Sequence, residues 1–209
     1  MDRGSREHGL LDLELMRTPP PKERADAARN RVKVLAAAAE LFARHGVESV
    51  SMDAVASAAG VGKGTLFRRF GDKAGLAAAL LDERERELQD AILSGPSPLG
   101  PGPSDQSVTA SERLHAFADA YLDYVLNHLS LVRMSETAAP GARYRIGAYR
   151  FWHRHLTVLL GRSVPDGEAV AHTLLAALGG EHLAAMVEDL GAERARAAVH
   201  TLFRAVGRG

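Results

Sequence analysis

The sequence predicts an all-α chain, with a small N-terminal and a larger C-terminal helical part. Three observations carry that expectation. Apolar residues recur at spacings of three and four, not two. Ser, Thr and Asp stand where helices would start, and glycine where they would stop. Residues 94–108, with four prolines and three glycines, interrupt the pattern between the two parts. No run alternates in the manner of a strand, and no segment repeats another.

Residues 1–24 are expected to form a flexible arm. The first 21 mix charges with Gly9 and end in Pro19-Pro20-Pro21, which cannot propagate a helix. Arg3, Arg6 and Arg17 are outnumbered there by Asp2, Glu7, Asp12 and Glu14, which favours a solvated tail, and Met16 is a second candidate start. From about Ala25 to His45 the positions Val32, Leu35, Ala36, Ala39 and Phe42 recur at helical spacing, and Gly46 supplies the stop.

The rest of the chain is organised around Ser51 to Lys73. Ser51 can cap a helix that buries Met52, Val55, Ala56 and Ala59, and Gly60 before an apolar Val61 fits a left-handed stop. A second, very short helix from about Gly62 to Phe70 places Leu66 and Phe70 on one face. Lys63, Gly64, Thr65, Phe67, Arg68 and Arg69 fall on the other. Two helices joined by a tight glycine turn, the second with a cationic outer face, describe a helix-turn-helix, whose second helix enters the DNA major groove. A phosphate-binding P-loop is excluded, because Ser57 and Gly64 stand where its glycine and its Ser or Thr belong. A dinucleotide fingerprint would need glycine at Thr65 and a strand leading in.

From about Arg31 to Leu81 the sequence resembles the tetracycline-repressor family (TetR/AcrR) of bacterial transcriptional regulators. The most specific part is Ala58-Ala59-Gly60-Val61-Gly62-Lys63-Gly64-Thr65-Leu66-Phe67 followed by Phe70 and Lys73. The resemblance implies that Lys63 occupies a base-contacting position, where a lysine can donate to guanine O6 and N7. It implies that Gly64 lets backbone approach base edges, that Thr65, Arg68 and Arg69 hold phosphate, and that Lys73 does so at the start of the fourth helix. Ser51 is counted with these contacts. Phe67 departs from the family's usual tyrosine and keeps only an apolar contact, for example with a thymine methyl. Its spacing from Phe70 leaves an inward core position as the alternative.

Asp72 can cap the next helix, in which Leu76, Leu80 and Leu81 lead into the charged run Asp82 to Glu87 and on to about Leu93. That run reads as a solvated face, with Asp82 and Arg86 attracting at a spacing of four. After the loop at 94–108, Thr109 and Glu112 form a capping box for a helix carrying Leu114, Phe117, Ala118, Tyr121 and Val125 to about His128. Further helices are expected over about Leu129 to Ala138, over Ala142 to Leu160, from Asp166 through Gly179-Gly180 to Val187, and over Glu193 to Val206. The domain reading is therefore an arm at 1–24, a DNA-binding domain at 25–81 with its linking helix continuing to about 93, and a ligand-binding and dimerisation domain at 109–209.

The last two helices carry small residues, Ala176, Ala177, Gly179, Gly180, Ala184 and Ala185, that allow close helix approach. The resemblance implies that they pair with their two-fold mates in a homodimer; an ordinary monomer core is the alternative. Phe117, Tyr121, Tyr124, Met134, Tyr144, Trp152, His155 and His172 suggest a pocket for an unidentified small-molecule effector, against the plainer reading of an aromatic core.

Composition bounds the function. With 209 residues and 46% hydrophobic content the chain can bury a core. Lys+Arg and Asp+Glu are both 26, yet residues 22–81 hold ten basic groups against six acidic ones, as expected when one module meets phosphate. The absence of cysteine removes disulfides and thiolate chemistry and suits the cytoplasm. No stretch is long and apolar enough for a membrane span or a signal peptide. His153 and His155 lie on different helix faces, no His-x-x-x-His occurs and no Gly-x-Ser-x-Gly elbow appears, so neither a metal, a cofactor nor an enzyme activity is expected. The expected function is a dimeric regulator, a repressor released from a palindromic double-stranded DNA operator by a small molecule. The alternative is a helical small-molecule or metal-binding protein whose helix-turn-helix serves as a protein contact.

Overall fold

The computed structural model describes residues 22–102, 108–145, 147–162 and 164–207. The expected arm lies outside them as far as residue 21, Met16 included. Eleven helices and no strand occur among the described residues: α1 Lys22–His45, α2 Met52–Ala59, α3 Lys63–Phe70, α4 Lys73–Ser94, α5 Ala110–Asn127, α6 Leu129–Thr137, α7 Ala142–Arg145, α8 Gly147–Leu160, α9 Gly167–Ala177, α10 Gly180–Leu190 and α11 Ala192–Val206.

Four helix starts are closed by their own sequence. Ser51, Asp72, Thr109 and Asp166 each accept from the backbone N–H three residues on, and at Thr109 the Glu112 carboxylate returns the bond to complete the capping box. Buried apolar side chains fall into two clusters. The smaller joins α1, α2 and α3 through Val34, Phe42, Val55, Leu66 and Phe70, and the larger runs from α4 to α11 around Phe117, Trp152, Leu175 and Phe203. Helix α4 belongs to both, giving Leu76 to the first and Leu81, Leu88 and Ile92 to the second. At about 1.5–3 kcal/mol for each large side chain buried, this shared rod ties the two parts together.

Three expectations need correction. In α1 the inward face is Val34, Ala38 and Phe42, while Val32 is 68% exposed and Ala36 and Ala39 face out. An alanine-rich helix is weakly apolar all round, so packing against α2 and α4 chooses the stripe. In α4 Asp82 does not meet Arg86 but accepts from Arg31 of α1 at 3.1 Å, and Arg86 pairs with Glu83 instead. The helix expected over Ala142 to Leu160 is described on either side of residue 146, which lies outside the described residues, as α7 and α8. The helix expected to run through Gly179-Gly180 is α9 and α10, bent by 49°.

That bend has a packing cause. A Cβ on Gly180 would stand 2.9 Å from the Arg133 backbone nitrogen and from Val132 Cγ1 of α6, and one on Gly179 would stand 2.9 Å from the Arg143 guanidinium. These two glycines serve close approach within the chain, which removes them from the set of small residues assigned to a dimer contact. Ala176 and Ala185 stay exposed, and Ala177 and Ala184 half-buried.

Candidate nucleic-acid interface and internal cavity

The turn between α2 and α3 closes on backbone alone. Gly60 adopts φ 64°, its N–H donates to Ser57 O at 3.2 Å, and the Val61 N–H reaches back to Ala56 O at 3.0 Å. This Schellman closure needs a left-handed residue, which glycine adopts without strain. Leu66 and Phe70 then return α3 to the core, at 1% and 9% exposure, so the opposite face of α3 is held outward by packing.

That outer face presents Lys63, Gly64, Thr65, Phe67 and Arg68, all exposed, and α3 contains no acidic residue. Phe67 is 39% exposed, which excludes the core position left open for it. A Cβ on Gly64 would meet nothing within 4 Å, so no contact inside the chain asks for glycine there. Gly62 offers no side-chain cap, leaving the first N–H groups of α3 free for an outside acceptor.

The cations differ in what they already hold. Arg68 has no ion-pair or hydrogen-bond partner among the described residues. Lys63 Nζ pairs with Asp53 Oδ2 of α2 at 2.7 Å and lies 6.0 Å from the Phe67 ring centroid. Arg69 donates to Ala27 O at 2.7 Å and Lys73 to Glu48 O at 2.8 Å. These two are thus turned toward backbone carbonyls, each with donors to spare. Ser51 spends its hydroxyl oxygen on the α2 cap. Asp53, Ala27 and Glu48 were not legible as partners, since nothing local marks a contact across 10 to 42 positions.

Of the eight residues expected around a pocket, the structure brings Tyr121, Tyr124 and Trp152 to one internal cavity of about 20 Å³. The others are elsewhere. Phe117 is fully buried beside His155 in the core, Tyr144 is 55% exposed, Met134 lines a groove with Lys73 and Arg133, and His172 is exposed and bonded to the Tyr149 hydroxyl at 2.6 Å. Sequence reasoning missed the cavity's charged wall. Glu85 of α4, Glu136 of α6 and Arg143 of α7 all line it. Both Glu136 oxygens accept from Arg143, at 2.7 and 2.6 Å, and one also accepts from the Gly180 N–H at 2.8 Å. Arg143 further donates to Leu175 O. Glu85 accepts from the Tyr124 hydroxyl at 3.0 Å, and burial pushes its carboxyl up from the ordinary range. Among the described residues no group of three or more His, Asp or Glu side chains is disposed to hold a metal ion.

Residues 34–80, which span the helix-turn-helix, match the model of the bacterial regulatory proteins, tetR family. The match covers the helix-turn-helix segment of the chain and places that segment's likeness with this family. Two HTH-type transcriptional regulators of Staphylococcus aureus are similar to it. One is 29% identical over 60% of this chain and 64% of its own length, the other 45% identical over 33% and 36%. The chain thus spans less than two thirds of the length of these curated relatives. Among solved structures, a TetR-family transcriptional regulator from Pectobacterium atrosepticum is 22% identical, covers 89% of this chain and 96% of its own, and has a TM-score of 0.65. One from Rhodococcus sp. is 20% identical over 85% and 98%, at 0.56. The TetR fold therefore extends beyond the matched module, through the C-terminal helices.

Proposed function

We propose that this chain is a cytoplasmic, dimeric transcriptional regulator of the TetR family that binds a palindromic operator and is released from it by a small molecule. The observation that carries the DNA reading is the outer face of α3. An acid-free helix, fixed by Leu66 and Phe70, holds Lys63, Thr65, Phe67 and Arg68 outward around a glycine with no internal role. Lys63 and Phe67 suit base edges, and Thr65, Arg68, Arg69 and Lys73 suit phosphate, with the donors of the last two turned from carbonyl to phosphate on contact. A helix-turn-helix of this size needs a second copy to read a site, so two recognition helices would sit about one DNA turn apart. Exposed faces of α10 and α11 remain the candidate pairing surface.

Ligand response requires an element that both parts share. Helix α4 is in both cores, and Arg133 of α6 pairs with Glu48 beside the helix-turn-helix at 3.2 Å. Movement of α6 or α4 would therefore shift the recognition helix, but only for a ligand that binds the two arrangements unequally. The test is selection of bound sequences from a random DNA pool by the purified protein at two salt concentrations. Enrichment of a palindrome with half-sites one turn apart is expected. Salt-sensitive binding without enrichment, or no binding, would overturn the operator reading.

A further inference from the structure

The internal cavity carries an unbalanced charge. Its wall contains two carboxylates and one guanidinium, and both terminal nitrogens of the guanidinium are committed: Arg143 binds both Glu136 oxygens and Leu175 O, while its Nε is buried without a partner among the described residues. Glu85 has no cation within ion-pair distance among the described residues, and its bond from Tyr124 supplies a neutral donor only. Around it stands a wall of rings. Tyr121 meets Tyr124 and Trp152 edge-on, each at 5.7 Å between centroids, and Tyr149 closes the side beside Arg143.

A half-buried carboxylate without a counter-ion, set against aromatic faces, has one complementary chemistry. Ring faces are electron-rich and attract cations, and a positive charge recovers what Glu85 loses by leaving water. We propose that this cavity binds a small amphipathic cation, an amine or quaternary ammonium on an aromatic body, with its charge on Glu85 and its body against Tyr121, Tyr124 and Trp152. The proposal rests on the reading that a small molecule controls operator binding, and it names that molecule's chemical class.

The size of the cavity supplies the control. At about 20 Å³ it has room for one water, whereas a benzene-sized body needs on the order of 150 Å³. The cation therefore fits only an opened arrangement and favours it over the closed one, which is the unequal affinity that regulation needs. Opening displaces α6, whose Val132, Ser135 and Glu136 line the cavity while Arg133 holds Glu48.

Trp152 is the chain's single tryptophan, so its fluorescence reports on the cavity directly. Benzyltrimethylammonium, benzyl alcohol and benzoate are titrated against the full chain, wild type and Glu85→Gln, with release of the selected operator followed in parallel. The cation is expected to change Trp152 emission saturably and to release DNA, at least tenfold more tightly than the alcohol or benzoate. Glu85→Gln should weaken the cation at least tenfold and leave the alcohol unchanged. Equal binding of the three probes by wild type, a measurement that needs no variant, would overturn the proposal, as would undiminished cation binding by Glu85→Gln. A compound collection screened by operator release separates the two layers. Hits without positive charge overturn the cation class and leave the ligand-released regulator standing; no hits of any charge overturn both.

Discussion

Two ion pairs of nearly the same length sit in opposite surroundings in this chain. Lys63 and Asp53 meet at 2.7 Å on the outer surface of the helix-turn-helix, with side chains 63% and 59% exposed; Arg143 and Glu136 meet at 2.6 Å with side chains 11% and 10% exposed. Distance ranks them together, and the medium separates them. Water screens the first pair and solvates either partner when the other leaves. Such a pair is exchangeable, which suits the role proposed for Lys63 at a base edge. The second has given up its hydration, and each partner is tolerable only while the other stays. It fixes the ends of α6, α7, α9 and α10 around a cavity. Charge serves contact in one region and architecture in the other.

Breaking the buried pair should give the largest effect. Glu136→Ala leaves a buried guanidinium with only the Leu175 carbonyl and strips the Gly180 N–H of its acceptor. A loss of ~3–5 kcal/mol in urea unfolding is expected, and a loss under ~1 kcal/mol would show that Arg143 escapes to water. Removing the exposed pair from its cationic side, Lys63→Ala should change stability by less than ~1 kcal/mol. On DNA it should relax preference at one base position by ~1–3 kcal/mol. Uniform weakening across all sequences in a competition assay would remove base reading from Lys63.

A third contrast lies in His155, whose Nε2 is buried without a partner. Burial first, and Arg113 second, hold its pKa down to about 4. The unfolded chain takes up that proton near pH 6.5. Stability contributed above that point is therefore lost as pH falls from about 6.5 toward about 4. Solvent reaching the ring limits the loss to the order of 1–2 kcal/mol. His155→Leu should flatten this stretch of the profile, seen by comparing melting temperatures across it; an unaltered slope would assign the loss to other groups. The smallest effect is expected from Asp53→Ala, ~0.2–1 kcal/mol in stability, together with tighter DNA binding because a competing carboxylate is gone. Weaker binding would mean that Asp53 orients Lys63 for contact.

What was legible in the sequence followed contact range. The outer face of α3 could be read because Leu66 and Phe70 lie four apart on one helix, and the other positions of so short a helix have only the solvent side left. The cavity could be read only in part. Tyr121 and Tyr124 share one helix, but Glu85, Glu136 and Arg143 come from three others and meet across gaps of up to 58 positions. Charged residues in the runs 82–87 and 142–145 look alike in sequence, and only packing sends Glu85 and Arg143 inward while Arg84 and Arg145 stay outside.

By itself the sequence determined where the capped helices begin, where α2 ends and which face of α3 is left outward. Ser51, Gly60, Asp72 and the Thr109–Glu112 box each satisfy backbone groups no more than five residues away, so the information is complete within one turn. Only the tertiary structure decided which stripe of an alanine-rich α1 is buried, that Gly179 and Gly180 serve α6 and Arg143, and that one carboxylate among many is left in a ring-lined cavity without a counter-ion among the described residues. Those outcomes depend on which helices meet, and a side chain's energy in a low-dielectric interior is set by neighbours that no local pattern names.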